Sequence, residues 1–148
     1  WVEYRGARGF VADEATQATG SYDAIRVYLW LGLMAESVPE RSGLLVHFAP
    51  MREIVRSSGW PPEKIDTRNG RTQARGPVGF AAALLPFLIA SGEHGLAARL
   101  ARLVAQQRDA WRERYYDTVL ALFGLGWFEG RYRFDTLGDL VPAWSRAC

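Results

Sequence analysis

The stretch from Pro77 to Ile89 constrains this chain more than any other. Phe80, Ala81, Ala82, Ala83, Leu84, Leu85, Phe87, Leu88 and Ile89 leave a helix over about 78–91 apolar nearly all round. A helix without a polar face has to be covered on several sides, which places it inside a bundle of other helices. At roughly 14 residues it is too short to span a bilayer, so no membrane insertion is expected. Pro77 supplies a rigid opening residue, and Pro86 is expected to kink the last turn.

The neighbouring segments supply the covering helices. Residues 22 to about 36 carry Ile25, Tyr28, Leu29, Leu31, Leu33 and Met34, enough apolar surface for burial on more than one side. From Pro39 to Gly59, Leu44, Leu45, Phe48, Met51, Ile54 and Val55 follow the helical period, with Pro50 expected to kink or divide the run. A more amphipathic helix is expected from Glu93-His94 to about 107, with Leu96, Leu100 and Leu103 on one face and Arg99, Arg102 and Gln106 on another. Tyr115 to Phe123 is again apolar and is expected to stop at Gly124. Strand signals are short: a hairpin or irregular connection over Val2–Val11, and alternation at Arg131–Phe134 before a closing segment from Leu137 to Trp144. Ala12–Thr19 reads as a polar loop. Trp60–Arg75, with Pro61-Pro62 and Asn69-Gly70, reads as a long loop that either lines a site or merely connects.

At 148 residues the chain suffices for one core, and all of it is assigned to one domain. Its eighteen basic and sixteen acidic residues are interspersed, and every basic residue but Lys64 is Arg, so no basic stripe points to nucleic acid. A single cysteine, Cys148, excludes an intrachain disulfide and a cysteine-based metal site. His47 and His94 lack companions at ligand spacing, and no metal or cofactor is expected. Gly76-Pro77-Val78-Gly79 matches no phosphate-binding fingerprint, and no serine nucleophile elbow occurs. The chain opens Trp1-Val2-Glu3-Tyr4, without a signal-peptide pattern. Six Trp, six Tyr and seven Phe suit sugar-stacking surfaces, and a bulky helical core accounts for them equally.

The candidate chemistry lies in Gly20-Ser21-Tyr22-Asp23-Ala24-Ile25-Arg26-Val27-Tyr28-Leu29-Trp30. Ser21 is a good N-cap residue, Asp23 falls in the first turn it would cap, and Arg26 follows three residues later. Both the helix start and the cation favour an ionised carboxylate. On pattern alone this is also what a stabilising surface pair looks like.

That stretch resembles the catalytic-base segment of glycoside hydrolase family eight. Further blocks agree in the same order: Pro61-Pro62-Glu63-Lys64-Ile65-Asp66, Gly76-Pro77-Val78-Gly79-Phe80 through Leu88, Tyr115-Tyr116 through Trp127, Arg131-Tyr132-Arg133-Phe134, and Leu140-Val141-Pro142-Ala143-Trp144. The resemblance implies an all-α (α/α)6 barrel, of which this chain would be roughly the C-terminal half. It implies inverting hydrolysis of internal β-1,4-glucosidic bonds, with Asp23 as base and Tyr22 and Arg26 at the catalytic centre. The general acid would be a Glu outside this chain, since no Glu here stands in the acid's context; Glu63 is taken as a solvated loop residue. Tyr115 and Tyr116 stand where the family places cleft tyrosines, and only one of two adjacent helical residues is expected to face the cleft. Trp30, Trp60 and Trp127 are better explained by packing. The likeness is nearest to family members encoded with bacterial cellulose synthesis, which implies a glucan substrate and a periplasmic or secreted location. The N-terminal half of the same domain would be the partner. Two alternatives stay open: action on chitosan, mixed-linkage glucan or xylan, and a non-catalytic helical module that binds glucan or a partner.

Overall fold

Prolines and glycines cut the chain into short helices joined by small hairpins. The computed structural model describes residues 2–12, 15 and 18–146; Trp1, Cys148 and most of the expected loop between Ala12 and Thr19 lie outside them. In chain order the elements are β1 (Val2–Tyr4), β2 (Phe10–Ala12), β3 (Thr19–Gly20), α1 (Ile25–Leu33), α2 (Arg41–His47), α3 (Ala49–Ser58), β4 (Pro62–Asp66) and β5 (Thr72–Arg75). There follow α4 (Val78–Ala83), α5 (Leu85–Ala90), α6 (His94–Gln106), α7 (Arg108–Arg112), α8 (Tyr115–Phe128), β6 (Tyr132–Phe134) and β7 (Leu140–Pro142). The helices form the core, as the apolar pattern requires. Among the described residues three small antiparallel sheets accompany them: β1 with β2, β3–β4–β5, and β6 with β7.

The centre is the α4–α5 unit. Every residue from Val78 to Leu88 is buried, and α1, α6 and α8 pack around it. Pro86 divides the expected helix in the middle rather than kinking its end. Its missing N–H deprives the Ala82 carbonyl of the usual i+4 donor. That carbonyl lies against Gly124 of α8, where a Cβ would sit 2.0 Å from Ala82 O. On the opposite side Gly32 of α1 meets the Pro86–Phe87 backbone, where a Cβ would lie 2.1 Å from Phe87 N. The two glycines let the flanking helices approach the central one backbone to backbone. Gly124 therefore does not end α8, which continues four residues beyond it to Phe128.

Three other boundaries differ from the sequence reading. α1 begins at Ile25, not Tyr22, and Ser21 does not cap it through its side chain. The Ser21 hydroxyl instead donates to Glu63 O at 2.8 Å, and the Ser21 carbonyl accepts from Ile25 N–H at 3.1 Å. The stretch Trp60–Arg75 is not a loop: β4 and β5 pair with Lys64 opposite Gln73 and Ile65 opposite Thr72. Charged and polar side chains on these strands hide the alternation that marks a half-buried sheet. Glu63 thereby becomes a strand residue. The short helix α7 has too few apolar positions for a periodic signal. Pro50 divides α2 from α3 as expected, and Gly59 ends α3 in the left-handed region at φ 78°.

Candidate active site

Tyr22, Asp23 and Ala24 form a turn between β3 and α1, and both ends of that turn are fastened. On one side Gly20 pairs with Ile65 of β4, so close that a Cβ would lie 3.1 Å from Ile65 Cγ2. On the other, Ile25 N–H and Val27 N–H donate back to Ser21 O and Ala24 O, both at 3.1 Å. The turn thus has a fixed geometry before any charge is considered. Asp23 Oδ1 then accepts a charge-assisted hydrogen bond from Arg26 Nη2. About half of each side chain is open to solvent, 53% for Asp23 and 48% for Arg26. An exposed pair of this kind contributes no more than about 1 kcal/mol to stability. What it does fix is the direction in which the carboxylate points.

Tyr22 is held from the opposite side. Its ring meets Phe80 of α4 edge-on at 5.1 Å between centroids and Tyr116 of α8 at 5.7 Å. The Tyr116 hydroxyl donates to the Tyr22 carbonyl oxygen. Burial holds the Tyr116 phenol above its ordinary pKa, with Arg26 opposing and Asp23 adding to that shift, so the hydroxyl keeps its proton to donate. The structure therefore brings Tyr22, Asp23, Arg26 and Tyr116 together. It does not bring Tyr115 with them. That ring is 85% exposed and stands on another side of α8.

Beside the pair runs a shallow groove of about 470 Å³, floored by Val27, Trp30, Leu31 and Met34 of the α1 segment and by Leu44 and Phe48, with Asp23 and Arg26 at its rim. Trp30 is half exposed in this groove, and its indole is braced by Phe123 at 5.7 Å and Phe134 at 6.2 Å. A braced, half-open indole is both packed and able to present a face to a ring. Trp60, by contrast, is buried and donates its Nε1–H to Gly76 O at 2.8 Å. A carboxylate, a guanidinium and aromatic faces along one open groove can orient a polar, many-hydroxyl chain and accept a proton from a water molecule. Among the described residues no group of three or more His, Cys, Asp or Glu side chains comes together to hold a metal ion, and no helix is long and apolar enough to cross a membrane.

Sequence reasoning passes over Asp117. It is 3% exposed, and its Oδ1 accepts from Gly79 N–H at 2.9 Å. The available signal was a carboxylate in the first turn of an apolar helix, directly after the paired tyrosines.

Comparison with known proteins gives one consistent result. Residues 1–130 match the family model described as glycosyl hydrolases family 8. The whole chain aligns with an endoglucanase of Escherichia coli (strain K12) at 42% identity and with one of Xanthomonas axonopodis pv. citri (strain 306) at 44%, covering 39% of each relative. The crystal structure of endo-1,4-D-glucanase from Vibrio fischeri ES114 superposes with a TM-score of 0.92 at 34% identity, over 98% of this chain and 42% of that one. The chain spans about two fifths of the length of the curated relatives it matches, and its helices form part of a helical barrel.

Proposed function

Because the chain belongs to glycosyl hydrolases family 8, we propose that the complete protein is an endo-acting hydrolase of β-1,4-glucan, with Asp23 as its catalytic base. The observation that carries this reading is the Asp23 carboxylate, oriented by Arg26 at the rim of an open groove with an exposed indole. Inverting hydrolysis needs a carboxylate that takes a proton from water on one face of the sugar, and a carboxylic acid about 6.5–9.5 Å away that protonates the leaving oxygen. Asp23 supplies the first. Arg26 aims it, and the partly exposed Tyr22 beside it is assigned to holding the water or the reacting sugar. The acid is assigned to a Glu in the part of the domain that this chain does not contain. Of the two tyrosines that the family places in the glucan cleft, Tyr116 is assigned to seating Tyr22, and the exposed Tyr115 to a glucan contact away from the base.

The endoglucanase relatives support a glucan substrate, and the family resemblance supports a role in bacterial cellulose synthesis at a periplasmic or secreted location. Release of reducing ends from carboxymethylcellulose by the complete protein, beside its Asp23→Asn variant, tests the assignment. Loss of at least about 10²-fold in a folded variant supports the base role. Equal cutting by both proteins leaves Asp23 as a surface carboxylate and removes the mechanism. If neither cuts carboxymethylcellulose but the wild type cuts chitosan, mixed-linkage glucan or xylan, the substrate is reassigned and the base role is tested there. Binding to glucan without cleavage of any of them identifies a non-catalytic module.

A further inference from the structure

Tyr22, the residue preceding Asp23, is gripped by two dipeptides from different helices, Gly79-Phe80 of α4 and Tyr116-Asp117 of α8. Phe80 and Tyr116 contribute the two rings that seat the Tyr22 ring, at 5.1 and 5.7 Å. Tyr116 also supplies the hydroxyl that meets the Tyr22 carbonyl. Gly79 and Asp117, one residue along in each helix, are joined directly through the 2.9 Å hydrogen bond from Gly79 N–H to Asp117 Oδ1. A Cβ on Gly79 would fall 2.7 Å from that same oxygen, so the two backbones are as close as a glycine permits.

No side chain of α4 caps its first turn. Asp117 reaches across from α8 and takes one of the amides that a helix start leaves free. Burying a carboxylate this completely is costly unless it is hydrogen-bonded and charge-compensated. Among the described residues its compensation comes from the Gly79 amide, the start of its own helix, and the Arg114 guanidinium at 3.8 Å. An apolar side chain would fill the same space without that desolvation but would leave the buried Gly79 amide without its acceptor, so the acid here ties α8 to the start of α4.

Resting on the reading of Asp23 as the base, we propose that Asp117 is a positioning residue for the reaction. It sets the separation of α4 and α8 at the Phe80–Tyr116 platform, and through that platform the pose of Tyr22 and the aim of the Asp23 carboxylate. Asp117 touches neither the reacting atoms nor the groove. Its effect belongs in turnover rather than in substrate affinity, because a small displacement of a reacting group costs rate while distant glucan contacts are unchanged.

The complete protein is assayed on carboxymethylcellulose as wild type, Asp117→Ala, Asp117→Asn, Tyr116→Phe and Asp23→Asn, at a temperature where circular dichroism shows each folded. Asp117→Ala is expected to lose about tenfold or more in kcat with KM within about twofold. Asp117→Asn keeps an oxygen for Gly79 N–H and is expected to return kcat to within about threefold of wild type. Tyr116→Phe, which removes only the link to the Tyr22 carbonyl, is expected to lower kcat while sparing KM. If Asp117→Ala does not fold, Tyr116→Phe and Asp117→Asn decide.

Unchanged kcat in Asp117→Ala overturns the proposal, as does an equal loss in Asp117→Asn. So does a Tyr116→Phe variant whose KM rises at constant kcat, since Tyr116 would then serve the substrate directly. Asp23→Asn separates the two readings. If it is inactive while Asp117→Ala is normal, only the positioning role falls; if it is active, the base role falls and the positioning role with it.

Discussion

Asp23 and Asp117 look alike as text. Each follows a tyrosine, each sits at the start of an apolar helix, and each has an arginine three residues away, Arg26 after the first and Arg114 before the second. Folding separates them. Asp23 keeps half of its side chain in solvent beside a groove, whereas Asp117 is buried under α4 and bonded to a backbone amide. No residue pattern distinguishes the exposed carboxylate from the buried one, because the difference lies in what other parts of the chain bring to it. The resemblance to a known family picked out Asp23 and was silent on Asp117. Size is also decided residue by residue. Gly32→Ala is expected to destabilise the fold by about 3 kcal/mol or more, because its Cβ would meet backbone that cannot yield as a side chain can. Gly95→Ala in α6, where nothing lies within 4 Å, is expected to be neutral or slightly stabilising, through helix propensity alone. Urea unfolding of the two variants measures the contrast.

The β4–β5 hairpin is the element least legible in advance, and its turn explains both its formation and its chemistry. The Asp66 carboxylate accepts from Arg68 N–H at 2.9 Å and from the Asn69 side-chain amide at 3.0 Å, and it pairs with the Arg68 guanidinium at 3.1 Å. Asn69 Oδ1 accepts from Arg71 N–H, and Gly70 supplies the left-handed residue at φ 73°. Asn69-Gly70 was readable as a turn; the strands beside it were not, because their exposed faces carry polar and charged residues. The Arg68 side chain, then its backbone amide, hold the Asp66 carboxyl down to about 2. Since the folded pKa lies below the ordinary carboxylate value of 3.8, the turn's contribution is complete above pH 4 and fades as the pH falls toward 2. Carboxyl NMR titration is expected to place the Asp66 midpoint near 2, and Arg68→Ala is expected to return it toward 3.8. Tyr28 and Tyr132 behave in the opposite sense. Burial pushes both phenols up to about 12 from 10, so folding holds their protons through that interval and stability falls as pH rises from 10 to 12. Urea midpoints are expected to drop between pH 9 and pH 11, and to drop less in Tyr132→Phe.

The molecule as a whole is part of a helical barrel, and part of its apolar surface stays open. Val27, Trp30, Leu122 and Tyr115 are large apolar residues left substantially exposed on α1 and α8. The Asp23 side of the groove has no second carboxyl assigned to the acid's role. Assayed alone, these 148 residues are expected to release reducing ends at least about 10²-fold more slowly than the complete protein, because hydrolysis by a base without its acid loses that factor. Adding the remainder of the domain in trans and recovering turnover would identify the missing acid's location. Full activity in the isolated chain would mean that the acid lies among its own residues, with Glu63 the first to replace.

The apolar period settled much in advance: a buried central helix, flanking helices with partly polar faces, and breaks at Pro50 and Gly59. These are local consequences of backbone geometry, side-chain transfer and missing amides, and they hold in any surroundings. The family resemblance added the likeness of one turn, Tyr22-Asp23, to a known base. The rest needed the packed molecule. Folding through Gly124, pairing Trp60–Arg75 into a hairpin, turning Ser21 toward Glu63 and burying Asp117 against Gly79 are all decided by groups 7 to 42 residues away along the chain, or by backbone contacts that leave no periodic trace. Hydrogen bonds and close approaches of that kind depend on where the partner lands, and only the assembled helices put it there.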